Sequence, residues 1–141
     1  MRIFARSKHR GMFVYTHKVN YYETDRMGVT HHSNYIRFME EARVAYLDYI
    51  GASYARIEEE GVISPVIEVS GRYLHTTTFD DLLEIEAYVK SMTTFKLKLG
   101  YTIRCKGEVV FEGWSLHCFL DKEGKPVAID DRYPQFRAQL P

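Results

Sequence analysis

The sequence is poor in several features that would each announce a class of protein. It has only two cysteines in 141 residues, Cys105 and Cys118. Two cannot build a disulfide-rich scaffold or a four-cysteine zinc site. Both fall at alternating positions of expected strands, which reads as free thiols in a reducing, cytoplasmic setting. Net charge is absent: 19 basic residues balance 19 acidic ones. Nucleic-acid binding therefore has no global electrostatic support, and a neutral surface is compatible with self-association. No apolar run approaches the roughly 18 residues of a membrane span. The start of the chain lacks the apolar stretch of a secretory signal. Residues 1–11 read as a short basic tail, and residues 12–141 as one domain.

What is present is aromatic and alternating. Eleven Tyr, eight Phe and one Trp suit a sheet, where rings pack on a pleated face. Residues 12–22 are β-rich. Residues 23–33 form a loop holding Gly28. A helix follows from Asn34 to Ile50, capped by Ser33 or Asn34 and stopped by Gly51. At 100° per residue, Tyr35, Phe38, Met39, Ala42, Tyr46, Tyr49 and Ile50 form its apolar stripe. Arg37, Glu40, Glu41 and Asp48 face away, and Arg37 can pair with Glu41. A second helix spans Ser53 to Glu60.

From there the period drops to two. Val66–Thr77 reads as one strand. Leu83, Ile85, Ala87 and Val89 mark another, and Phe95, Leu97, Leu99, Tyr101, Ile103 and Cys105 a third. Lys106-Gly107 is a hairpin turn. A strand over Val109–Leu120, broken by Gly113, and a last one over Lys125–Ile129 complete the set. Turns rather than helices join these strands, so the expected architecture is an antiparallel sheet curled over one amphipathic helix.

The densest polar cluster runs from Glu23 to Tyr35, between a strand and the long helix. N–H groups in the first turn of a helix point outward with partial positive charge and can hold a developing oxyanion. Asp25 lies just upstream, on a loop that Gly28 lets bend tightly. A carboxylate beside an oxyanion site is a minimal pair for acyl transfer, without metal or cofactor. The plainer alternative is that Asp25 caps a turn and His31 and His32 lie on the surface. Adjacent histidines do not easily share a zinc ion, and no nucleophile elbow or phosphate loop is present. Lys96, Lys98, Arg104 and Lys106 make a basic strand face, either solvated or turned to a phosphorylated carrier.

The segment Tyr22-Glu-Thr-Asp25-Arg-Met-Gly28-Val-Thr-His-His32-Ser-Asn34-Tyr35, leading into Phe38-Met-Glu-Glu-Ala-Arg43, resembles the signature of the 4-hydroxybenzoyl-CoA thioesterase family. The stretch Arg72-Tyr73 through Phe79-Asp80-Asp81 to Ile85, Gly124-Lys125-Pro126-Val127 and Tyr133-Pro134 add to the likeness. It covers about residues 12–134. The resemblance implies an α+β hotdog fold, a curled antiparallel β-sheet wrapped around one long central α-helix. It implies an acyl-CoA thioesterase with Asp25 as the catalytic carboxylate and the backbone N–H of His32 polarising the thioester carbonyl. Ser33 shares that helix terminus, and Tyr35 and His31 are candidate substrate contacts. His31 departs from the Tyr or Trp common at its position. Coenzyme A would enter only as part of an acyl-CoA or acyl-carrier-protein substrate, with no resident cofactor. Sheets in this family join edge to edge, so a homodimer or homotetramer is expected. Two alternatives are a hotdog hydratase or dehydratase using Asp25 with a histidine, and a non-catalytic acyl-binding subunit.

Overall fold

A computed structural model describes residues 12–141 and the backbone of Arg2–Ile3. Arg2–Ile3 (β1) pairs with Val14 and Phe13, and the rest of the expected tail lies outside the described residues. The chain continues through β2 (Phe13–Lys18), a 3-10 turn (Tyr21–Glu23), α1 (Asn34–Tyr49) and α2 (Tyr54–Glu59). Then come β3 (Val66–Tyr73), β4 (Leu82–Met92), β5 (Lys96–Cys105) and β6 (Glu108–Cys118), followed by the short helices α3 (Ile129–Arg132) and α4 (Pro134–Arg137). One sheet results, in the order β1-β2-β4-β5-β6-β3, with every pairing antiparallel.

The register follows from the two-residue period. Leu83, Ile85, Ala87 and Val89 face Cys105, Ile103, Tyr101 and Leu99 across the β4–β5 ladder, and all eight are buried. A slip of one residue would turn every one of them outward. The β5–β6 hairpin closes on Lys106 and Gly107, both at positive φ (53° and 82°). That is the backbone of a type I′ turn, whose twist matches the strands it joins.

Helix α1 packs on β2 and β4. Its buried side is Tyr35, Phe38, Met39, Ala42, Arg43, Tyr46 and Leu47. Truncating a fully buried Phe such as Phe38 costs about 3–5 kcal/mol in comparable cores. Tyr49, expected on that stripe, packs on Phe13 with ring centroids 5.0 Å apart but is a third exposed. No helix among the described residues is long and apolar enough to cross a membrane.

Several expectations are corrected. The first strand stops at Lys18 rather than Tyr22, because the chain tightens into the 3-10 turn. Strand β3 ends at Tyr73, not Thr77. Gly113 does not break β6: it pairs with both Tyr101 and Gly71. A Cβ there would come within 3.0 Å of the Ser70 carbonyl, the Phe111 ring and the Met39 sulfur, so glycine permits close packing rather than a kink. Lys125–Ile129 is not a strand: only Pro126 bridges to Leu120, and Ile129 starts α3. Phe95 lies just outside β5 and is half exposed.

Candidate active site

The candidate site is the ten-residue link between the 3-10 turn and α1, and its shape comes from its own backbone bonds. Thr24 bridges to Thr30. The Asp25 N–H donates to the Val29 carbonyl at 2.8 Å, and Gly28 N–H donates to the Asp25 carbonyl at 2.9 Å. Gly28 adopts φ 84°, which a side chain rarely tolerates. Within this small hairpin Asp25 Oδ1 accepts the Met27 N–H at 2.8 Å. Asp25 Oδ2 has no partner among the described residues. The carboxylate is thus fixed by one oxygen and available through the other.

Two neighbours hold the hairpin in place. On one side the Glu23 carbonyl accepts from the His31 N–H at 2.8 Å and from Asn34 Nδ2 at 2.9 Å. On the other, the segment after β3 runs alongside. Thr30 N–H donates to the Thr77 carbonyl (2.8 Å), and the Thr77 hydroxyl meets those of Thr30 (2.7 Å) and Tyr35 (2.8 Å). Thr78 donates to the Gly28 carbonyl at 2.7 Å. This brace lies past Tyr73, where the expected strand over Val66–Thr77 has already ended. Its only sequence signal is the run Thr76-Thr77-Thr78 where alternation lapses.

At the helix start, Ser33 already has helical backbone angles (φ −64°, ψ −24°) and makes no side-chain cap bond. Capping needs an extended residue whose oxygen reaches back to the first-turn N–H groups, so neither Ser33 nor Asn34 caps as expected. Ser33 Oγ instead lies 2.8 Å from His31 Nδ1, which also accepts the Ser33 N–H at 3.2 Å. Asn34 is turned to Glu23. The His31 ring stacks on that of His32, with centroids 4.2 Å apart. The His32 N–H donates to no group among the described residues.

Asp25, Met27, Val29, Thr30, His32, Tyr35, Tyr73, Leu74, His75 and Thr76 line one cavity of about 240 Å³. Of the expected site residues, Asp25, His32 and Tyr35 therefore share a wall, Gly28 shapes the loop behind it, and His31 and Ser33 are engaged with each other outside it. Tyr73, from the stretch that adds to the family likeness, joins Asp25, His32 and Tyr35 on that wall. It packs edge-on to Tyr35 (5.3 Å), and both rings contact Phe111. Burial pushes the Tyr35 hydroxyl above the ordinary tyrosine range despite the bonds from Thr77 and Thr30, so it presents a neutral hydroxyl at neutral pH.

The basic strand face is not brought to this cavity. Lys98 Nζ lies 4.2 Å above the Trp114 ring, Arg104 pairs with Glu86 at 3.1 Å, and Lys106 reaches Asp81 at 3.9 Å. Nor does Arg37 pair with Glu41: Glu40 binds Arg43 (2.8 Å), and Glu41 lies between Tyr15 and His17. Among the described residues no three His, Cys, Asp or Glu side chains converge as a metal site would require.

Residues 19–140 match the thioesterase-like superfamily. YneP of Bacillus subtilis (strain 168), provisionally named an acyl-CoA thioesterase, is 31% identical over 121 residues, covering 84% of this chain and 88% of its own. A 1,4-dihydroxy-2-naphthoyl-CoA hydrolase of Prochlorococcus marinus is 26% identical over 125 residues, covering 84% and 83%. Among solved structures, the DHNA-CoA thioesterase from Staphylococcus aureus superposes with a TM-score of 0.83 at 28% identity, over 91% of this chain and 87% of that one.

Proposed function

The chain belongs to the thioesterase-like superfamily and has its hotdog-like α+β fold, and from that premise we propose that it is an acyl-CoA thioesterase working through Asp25 and the His32 N–H. The observation that carries the reading is the meeting of a carboxylate with one free oxygen and an unpartnered N–H at the start of α1, on the wall of one cavity.

In this reading the thioester carbonyl oxygen accepts from the His32 N–H, where the aligned peptide dipoles of α1 favour negative charge. Asp25 either attacks the carbonyl carbon or draws a proton from an attacking water. The carbonyl re-forms as the C–S bond breaks. The thiolate of coenzyme A leaves and takes a proton; where water attacked, the acyl group departs directly as the acid, and where Asp25 attacked, water then hydrolyses the acyl-aspartyl anhydride to the acid and restores the carboxylate. A thioester has a good leaving group, so no resident metal or cofactor is required. Tyr35 and Tyr73 supply an aromatic wall for the acyl end. The motif from Asp25 to Tyr35 supports the narrower 4-hydroxybenzoyl-CoA-like assignment, and a carrier-protein thioester fits the same chemistry. Free thiols at Cys105 and Cys118 agree with a cytoplasmic setting.

Each site is completed by a second copy. Tyr73 and Leu74, both partly exposed, line the cavity at the C-terminal end of edge strand β3, and Val66, Ile67 and Val69 are exposed toward its other end. An eight-residue edge strand with exposed Val66, Ile67 and Val69 needs covering, and pairing β3 to β3 in a homodimer, or in a tetramer of two such dimers, covers it. Hydration chemistry is less well served, because His31 is turned to Ser33. Free thiol release from a panel of acyl-CoA and acyl-carrier thioesters tests the proposal. Release of coenzyme A in step with acid is expected. Absence of thiol release across the panel, with water adding to enoyl-CoA instead, would overturn it.

A further inference from the structure

Behind the candidate site lies a second cluster of titratable groups that the chemistry above does not touch. His17, on β2, is nearly buried, with its side chain 11% exposed. Its Nε2 lies 2.9 Å from Glu23 Oε1, and its Nδ1 lies 3.2 Å from Glu41 Oε1. The ring packs on Phe38 at 4.4 Å. Glu23 is itself buried and also accepts the Asn20 N–H at 2.8 Å. Glu41 accepts the Tyr15 hydroxyl at 3.0 Å. The Glu23 contact is a hydrogen bond, and the Glu41 contact sets a second carboxylate against the other ring nitrogen.

The placement of this pair matters more than its strength. Glu23 ends the 3-10 turn, one residue before the Asp25 hairpin. Its backbone carbonyl holds His31 and Asn34, at the start of α1. Glu41 lies about two helical turns further along α1. The hairpin carrying Asp25 and the helix start carrying His32 therefore spring from two elements joined twice. One junction is the Glu23 carbonyl, and the other is the His17 ring. Among the described residues, the other bonds fixing the hairpin are to its own backbone, to the segment after β3, and from Thr24 to the Tyr21 carbonyl at the start of the same 3-10 turn.

We propose that His17 is a positioning residue that locks the 3-10 turn to α1 and so sets the Asp25 carboxylate against the His32 N–H. This rests on the assignment of Asp25 and His32 above. His17 touches neither the cavity nor a substrate. Its effect is on kcat, because it governs the geometry in which the reacting groups meet. A misplacement of 1 Å can cost roughly 10²-fold in rate. The groups facing the ring among the described residues are Glu23 from the 3-10 turn, Glu41 from α1, and Tyr15 through Glu41. Its neighbour on β4 is the apolar Leu83.

The test uses the full chain and the best acyl-CoA substrate. His17→Gln retains one donor, and Glu41→Ala removes the oxygen that Tyr15 and His17 both meet. In each, kcat should fall by about 10- to 100-fold with KM and the circular-dichroism spectrum little changed. A folded His17→Gln enzyme with wild-type kcat overturns the proposal, as does a loss that appears in KM with kcat unchanged. Activity surviving Asp25→Asn would instead sink the site assignment itself, so the two failures are distinct.

Discussion

The hydroxyl of Tyr73 donates to the carbonyl of His32 at 3.0 Å, joining the end of edge strand β3 to the turn that opens α1. The same carbonyl accepts the Tyr35 N–H at 3.2 Å. The peptide following His32 is therefore held from two directions, which restrains the N–H on its other side. Tyr73 is half exposed, so the bond itself adds little to stability. Tyr73→Phe should cost at most about 1 kcal/mol, visible as a small shift in Tm. It should lower kcat by less than the roughly 10²-fold that a full 1 Å displacement brings. An unchanged kcat would show that the strand end does not help to hold the oxyanion donor.

Asp25→Asn separates chemistry from turn formation. Asparagine keeps an oxygen for the Met27 N–H, so the hairpin and the Tm should survive. It neither attacks a thioester nor takes a proton usefully at neutral pH. The loss should appear in kcat, by roughly 10²–10⁴, with KM nearly constant. If Asp25 is only the turn former that its bond to Met27 also makes it, kcat stays within a few-fold and stability falls by about 1 kcal/mol.

These two residues mark how far the sequence could be read. Asp25, Gly28, His32 and Tyr35 lie close together in the chain, so spacing alone placed them near one helix start. The alternation through Leu83–Val89 and Leu97–Cys105 likewise specified the central ladder, because a two-residue period has only one buried face. Tyr73, Thr77 and the His17 pair come from elements distant in sequence. Nothing in an exposed strand end or a Thr run tells which loop it will brace. The capping expectation at Ser33 failed for a related reason. His31 competes for the same hydroxyl and N–H, and that contest is settled by local geometry rather than by residue type.

His117 makes stability depend on pH. It is 1% exposed, its Nε2 lies 2.7 Å from Ser115 Oγ, and its Nδ1 has no partner among the described residues. Burial, with Arg43 nearby adding to it, lowers its pKa from 6.5 to about 3. The folded state thus refuses a proton that the unfolded chain takes up. Stability from this residue is complete above about pH 6.5 and is lost progressively as pH falls toward 3, by up to about 1.4 kcal/mol per pH unit. Urea midpoints measured between pH 7 and pH 4 should show this fall, and it should shrink in His117→Gln. An equal slope in the variant would assign the acid sensitivity elsewhere.

His32→Ala asks whether the main chain or the imidazole acts. The ring is exposed and stacked on His31, while the N–H belongs to the backbone and survives the substitution. The variant should keep most of its kcat and remain far more active than Asp25→Asn. A folded His32→Ala enzyme as inactive as Asp25→Asn would give the imidazole a chemical role.

Edge strand β3 decides whether the cavity works alone. Light scattering of the wild type should give a mass at least twice the 16.6 kDa of one chain. Replacing Ile67 and Val69 together by Lys puts like charges on facing edges, which a paired ladder tolerates poorly. A single chain should then be recovered. These side chains are about 40% exposed in the lone protomer, so its own core should be little affected and near-ultraviolet circular dichroism should persist. Activity should collapse with the dimer, because the cavity wall at Tyr73 and Leu74 loses its cover. A folded monomer with full activity would show that one chain is sufficient, and that β3 is an edge left bare.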